Sequence, residues 1–340
     1  MLDDLKYIHH RDGQDALGIA EHQAEQLGHQ FDKPELGSGF ANVVYAGMGG
    51  SALAALVARS WPGINVPFEI CRRYDIPKYV SEKTLFIASS YSGNTEEILS
   101  TLAEAEAKKA TVVIISQGGK LSEIAKAKNY PALALPDTKQ PRFAVLASLK
   151  ALATILEKAG LTDGKVEELV KTTDFLKKSV EAWLPTGPTK ENPAKRLAEE
   201  LAGKSVAVYG GPLMAPAAYK WKINFNENAK NVAWWNELPE FDHNELSGWT
   251  SHPIHKPYAI IELRSNFEHP RVQKRFEVGE KLLSGRRPAP YVVAVQGGTL
   301  LEQLVWVIAY GDFVSIYLAL LNGINPSPVD IVEKFKKELG

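Results

Sequence analysis

The sequence predicts a doubly wound α/β protein whose two halves share one architecture, and three features predict it. Short apolar runs of strand length alternate with stretches of helical periodicity, which favours a parallel sheet covered on both faces. Strand, glycine turn and helix then recur in the same order in the second half. Finally, QGG follows a VV-containing strand twice, at 117–119 and at 296–298, in corresponding places.

In chain order, residues 1–36 read as polar helix with a weak apolar stripe of Ala16, Ile19, Ala20 and Leu27. Residues 42–46 form a strand that Gly47-Met48-Gly49-Gly50-Ser51 turns into a helix over 52–59. The spacing G-x-G-x-x-G is broken there, and no acidic residue is placed for a ribose, so a dinucleotide fingerprint is excluded. Strands follow at 66–71, 85–88 and 112–116, then a turn-rich stretch at 131–141 and a long helix over 143–159. In the second half, 205–209 echoes 43–46, 258–263 falls where 85–88 fell, and 291–295 matches 112–116. The division is therefore an N-terminal half at 1–160, a helical connection and Pro/Gly-rich linker at 161–193, and a C-terminal half at 194–340.

The chemistry concentrates where the halves differ. After the strand at 85–88 the sequence runs Ser89, Ser90, Tyr91, Ser92, Gly93, Asn94, Thr95 and then Glu96-Glu97 at the start of a helix. Hydroxyls and a glycine at a strand-to-helix junction form an anion cradle, because helix N-terminal N–H groups lack intrahelical acceptors and the dipole is positive there. No lysine or arginine lies in the loop, which suits a small phosphate ester better than a triphosphate with its metal. A Ser/Thr turn with an N-cap is the plain alternative on composition alone. The second half has Arg264-Ser265-Asn266 in that place. It carries instead NFNENAK at 224–230, closing a helix that starts near Pro216, and WWNELPEFDHNE at 234–245. On spacing alone Glu227 reads either as a proton-transferring carboxylate held by its flanking asparagines or as part of a helix C-terminal cap. His243 reads as a proton carrier in a polar turn.

The 340 residues carry a formal net charge of -1, so no basic excess points to nucleic acid or an acidic membrane. One cysteine, Cys71, allows no intrachain disulfide and fits a reducing compartment. The polar start MLDDLKYIHHRDG has no apolar signal core, and no apolar run is read as approaching the ~20 residues of a bilayer span, so a cytoplasmic protein is expected. The run 300–321 is read as helical core with a share in a dimer surface. His252 and His255 have a metal-like spacing, but no cysteine or third ligand stands near them in sequence, and no metal site is expected.

Four motifs in order, GMGGS at 47–51, SYSGNTEE at 90–97, NENAK at 226–230 and ELPEFDHNE at 237–245, together resemble the bifunctional phosphoglucose/phosphomannose isomerases of the sugar isomerase (SIS) fold. The ending YLALLNGINPSPVDIVEKFKKEL, 317–339, resembles that family's C-terminus. The resemblance implies two SIS-type doubly wound parallel-sheet halves, each an α/β/α sandwich. It also implies a cofactor-free aldose–ketose isomerase and a homodimer with shared active sites. By position it implies phosphate binding by Gly50, Ser51, Ser90, Ser92 and Thr95, and a base at Glu227 that moves a proton between C1 and C2. Ring opening falls to His243 of the partner, enediolate stabilisation to Arg142, and a sugar-hydroxyl contact to Lys336. Read without the family, Arg142 is a helix N-terminal surface charge and Lys336 one cation of a solvated helix face. Ala52, where glycine is frequent, and Asp242, where asparagine is common, depart from the pattern and leave sugar selectivity open. An isomerase for another sugar phosphate and a sugar-phosphate sensor without turnover are the alternatives.

Overall fold

The computed structural model describes residues 1–251 and 257–339. Among them, nine strands form two all-parallel sheets. The first holds β1 (Asn42–Gly47), β2 (Phe68–Cys71), β3 (Thr84–Ser90), β4 (Thr111–Ser116) and β5 (Ala132–Ala134) in the order β2-β1-β3-β4-β5. The second holds β6 (Ser205–Gly210), β7 (Ala233–Glu237), β8 (Tyr258–Arg264) and β9 (Tyr291–Ala294) in the order β7-β6-β8-β9. The second order is the first with its fifth strand missing. Both central pairs even match in register, Asn42 with Thr84 through Gly47 with Ser89, and Ser205 with Tyr258 through Gly210 with Leu263.

By contacts the chain falls into two compact units, His22–Leu176 and a second made of Met1–Glu21 with Lys177–Gly340. The N-terminal helices join the second unit because buried Lys195 donates to the Leu2 carbonyl at 2.7 Å, and the Tyr7 hydroxyl donates to that of Leu320 at 2.6 Å.

In the first unit a period of two sorts the strand residues onto two buried faces, as helices on both sides require. Val43, Tyr45, Leu85, Ile87, Val113 and Ile115 cluster with Ala147, Ala151 and Ile155 of the helix Val145–Lys158. Their neighbours Val44, Phe86, Ala88 and Ile114 cluster instead with Ile98 and Leu102 of the helix Glu96–Ala107 and with Leu121 of the helix Gly119–Lys128. In the second unit, Ala207, Tyr209 and Ile260 meet Phe241, Trp249 and Phe276. There the helix Ala215–Glu227 is tied to the helix Leu300–Leu321 by the Trp221 indole N–H, which donates to the Val307 carbonyl at 2.8 Å.

Several sequence readings change. The stretch 131–141 contains β5, and the aromatic-polar stretch 234–245 begins in β7 before passing into the short helix Glu240–His243. Both are edge strands, β5 exposed at its two ends and β7 half-buried over most of its length, and neither shows the wholly buried run that marks a central strand. The N-terminal segment is two short helices, Leu5–Arg11 and Ala16–Glu21, followed by a 3₁₀ stretch, because Asp12 caps Ala16 and Leu17 and restarts the chain. The reading that no run nears bilayer length is overturned by Leu300–Leu321. At 22 residues it is long and apolar enough to cross a membrane by length and composition, yet 89% of its apolar window is buried inside the protein.

Candidate active site

The first unit gathers its expected residues into one cluster, whereas Glu227, His243 and Lys336 of the second lie on three separate helices. In the first, β1 ends in Gly47, and the 3₁₀ turn Gly49–Ala52 leads into the helix Leu53–Val57. Gly50 has to be glycine because a Cβ there would stand 2.8 Å from the Arg142 nitrogen and from the Pro141 carbonyl carbon. The first glycine turn is thereby laid against Pro141-Arg142-Phe143. Arg142 is 1% exposed, its guanidinium over the Phe143 ring at 5.1 Å and donating to Gln140 Oε1 at 3.1 Å. It is a buried cation, and the surface-charge reading of it is wrong.

The hydroxyl loop sits at the end of β3. Ser90 Oγ lies 2.7 Å from Thr95 Oγ1 and 3.4 Å from Ser92 Oγ, and accepts from the Gly93 N–H at 3.1 Å. Ser51 Oγ accepts from the Tyr91 N–H at 3.0 Å, which joins the two junctions. Thr95 is the N-cap of the helix Glu96–Ala107 in extended conformation, with no cap hydrogen bond from its side chain. The Thr95 hydroxyl is thus paired with Ser90 and not with a helix N–H. Gly50, Ser51, Ser90, Ser92, Thr95 and Arg142 are thereby brought into one region.

In the second unit Glu227 is the last residue of the helix Ala215–Glu227 and is half-buried. Its asparagines hold the backbone: Asn226 Nδ2 donates to the Asn231 carbonyl at 2.9 Å, and Asn228 Nδ2 to Ser315 Oγ at 2.8 Å. Lys230 closes the helix end, donating to the Glu227 carbonyl at 2.9 Å and to that of Asn325 at 3.1 Å. One turn earlier lies a buried network that the sequence reading missed. Lys220 and Asn224 both donate to Asp312 Oδ1, Asn224 at 2.8 Å. All three are at most 2% exposed. Only the helical spacing of Lys220 and Asn224 hinted at it, since Asp312 is far away in sequence.

His243 ends the short helix Glu240–His243 and is exposed. Its segment is held through its neighbours, Arg275 donating to Asp242 Oδ2 at 2.9 Å and Asn236 to Glu245 Oε2 at 2.7 Å. Lys336 is also exposed, paired with Glu333 at 2.9 Å on the terminal helix Asp330–Leu339. Cys71 is buried, and burial pushes its thiol up. Among the described residues no group of three His, Cys, Asp or Glu side chains could hold a metal, and His252 and His255 lie outside those residues.

Residues 190–339 match the model of the bacterial phospho-glucose isomerase C-terminal SIS domain. A bifunctional phosphoglucose/phosphomannose isomerase of Caldicellulosiruptor bescii is 35% identical over 305 residues, 87% of this chain and 89% of that one. The chain belongs to the bifunctional phosphoglucose/phosphomannose isomerase family. A second member, from Aquifex aeolicus, is 31% identical over 88% of this chain and 91% of its own. Among solved structures, a glucose-6-phosphate isomerase like protein from Thermus thermophilus superposes with a TM-score of 0.65 at 19% identity. The match covers 97% of this chain and 99% of that one, and it establishes the shared fold.

Proposed function

We propose that this chain interconverts glucose 6-phosphate and mannose 6-phosphate with fructose 6-phosphate through a cis-enediol. The observation that carries the reading is the hydroxyl-lined junction of Ser51, Ser90, Ser92 and Thr95 beside buried Arg142, in a member of this isomerase family. Four tasks must be met: a phosphate anchor, ring opening, a base and stabilisation of the enediolate. The hydroxyls and helix N–H groups take the phosphate, whose binding energy holds the distant C1–C2 unit in place. Glu227 takes the C2 proton of an aldose and returns it to C1, a contribution of about 10²–10⁴-fold. Arg142 is permanently charged and stabilises the enediolate without giving up a proton. Both aldoses lose the same stereocentre in the enediol, so one base serves both.

His243 opens the ring, supplied across a homodimer, and Lys336 contacts sugar hydroxyls. The exposure of both side chains supports a role completed by a second subunit or by substrate. We assign no metal or redox cofactor, and place the protein in the cytoplasm. The test is a coupled assay on fructose 6-phosphate with pure protein. Formation of both aldose phosphates is expected, and formation of neither refutes the reading. A panel of other sugar phosphates with markedly higher kcat/KM would move the assignment to a different substrate.

A further inference from the structure

Because the fold is duplicated, each element of the first half's anion cradle has a counterpart in the second. The glycine turn after β1 corresponds to Gly210-Gly211 after β6, leading into the helix Ala215–Glu227. The hydroxyl loop after β3 corresponds to 265–268 after β8. In the second half this place is filled from within. Glu268 Oε1 accepts from the backbone N–H groups of Leu213 at 2.9 Å and Met214 at 3.1 Å, just where the helix opens. The carboxyl is so close to the turn that a Cβ on Gly211 would lie 2.4 Å from its carbon. Glu268 is 3% exposed. The rest of its loop is fastened as well: Gln303 accepts from Ser265 Oγ at 2.5 Å and donates to Asn266 Oδ1 at 2.6 Å.

We infer that Glu268 is a positioning residue, a built-in acceptor standing where the first half takes phosphate and fixing the opening turn of the helix that ends in Glu227. A carboxyl oxygen takes the N–H groups of the N-cap Met214 and of Leu213 just before it, as a bound phosphate oxygen would at a helix entrance. The second half is thereby closed to a ligand of its own. The helix it anchors is 13 residues long, about 20 Å of rigid rod from Glu268's contact to the base. A shift of about 1 Å in a reacting group is worth up to 10²-fold in rate. The effect on turnover rests on Glu227 being the base; the capping contact itself does not.

The test compares full-length Glu268→Ala and Glu268→Gln with wild type. Glutamine keeps an acceptor for both N–H groups, so it separates acceptance from charge. In Glu268→Ala, kcat should fall about 10-fold or more with KM for fructose 6-phosphate within about threefold, because the phosphate anchor is untouched. Amide hydrogen exchange over 213–214 should quicken, and Glu268→Gln should restore both readouts. Gly211→Ala, which displaces the carboxyl without removing it, should reproduce the kcat loss. Wild-type kcat in Glu268→Ala while Glu227→Gln is inactive would overturn the inference and leave the base standing. A Glu268→Gln variant as impaired as the alanine would overturn the acceptor role. Activity in Glu227→Gln would remove the base assignment, and exchange at 213–214 would still decide whether Glu268 caps the helix.

Discussion

Gly93 and Gly118 are locked together: a Cβ on Gly93 would stand 1.7 Å from the Gly118 carbonyl oxygen, and the Gly93 backbone is left-handed at φ +70°. The hydroxyl loop is therefore held in shape by the first QGG turn, with the Leu121 N–H donating to the Gly93 carbonyl at 3.0 Å. Gly93→Ala combines an unfavourable dihedral with a backbone collision. It should destabilise the first unit by at least about 2 kcal/mol and raise KM for every phosphorylated substrate. Thermal unfolding and steady-state kinetics measure the two effects, and a variant unchanged in both would show that the loop does not need this contact.

Anchor and base should leave opposite kinetic signatures. Ser92→Ala with Thr95→Ala removes hydroxyls worth about 1–3 kcal/mol each toward a charged group, so affinity for a 6-phospho inhibitor should fall by about 10-fold or more. Glu227→Gln should preserve that affinity and cut kcat by at least about 10²-fold. Calorimetry beside turnover assays separates them. Unchanged inhibitor affinity in the first variant, or near wild-type kcat in the second, counts against the corresponding role.

Lys220 and Asp312 make a buried ion pair between the helix that ends in Glu227 and its packed neighbour Leu300–Leu321. Lys220→Met strips the Asp312 carboxylate of its cation while leaving it buried, which should cost about 3–5 kcal/mol. Adding Asp312→Leu should recover much of that loss. Chemical denaturation of the single and double variants tests the coupling, and additive effects would mean that the pair is not a unit.

Burial pushes the Glu268 carboxyl up to about 7, against two backbone N–H groups that lower it, with Glu237 adding to the rise. A folded value above the unfolded one means that the stabilisation is complete below about pH 4.5 and is lost as pH climbs through about 7. Between pH 5 and 8 wild type should therefore lose stability relative to Glu268→Gln, by about 1–3 kcal/mol. Parallel pH dependences of the two would contradict the buried carboxyl's titration in that window.

His243 predicts complementation between subunits. Inactive Glu227→Gln and inactive His243→Ala protein, mixed with full subunit exchange, give half heterodimers with one intact site each. About a quarter of all sites should then be active under C₂ pairing. No recovery after verified exchange would place His243 in its own chain's site.

The central strands and the duplication were legible because buried parallel strands must be apolar on both faces, as Val43–Ala46 and Leu85–Ala88 are. The edge strands β5 and β7 were not, since one open side relaxes that demand and leaves Trp234, Asn236 and Glu237 looking like loop chemistry. The meeting of Ser90 and Thr95 was readable because their spacing is local. Arg142 against Gly50, Asp312 beneath Lys220 and Glu268 at Leu213 depend on partners at least 55 residues apart in sequence, where no local periodicity reports the contact. The flanking asparagines of Glu227 illustrate the boundary. Their presence marked the glutamate, while their actual partners, Asn231 and Ser315, fix the chain around it and are set by tertiary packing.

The division of the chain into two units also separates its chromophores. Six of the seven tryptophans lie in the unit containing Lys177–Gly340, where Trp183 and Trp306 meet edge-on with centroids 5.4 Å apart. The other unit holds Trp61 alone, its indole donating to Glu168 at 2.8 Å. Intrinsic fluorescence is thus in large part an optical label of the unit that carries Glu227, whereas far-ultraviolet circular dichroism sums both. Where the two signals part company during unfolding, the order in which the units come apart can be read without attaching a dye.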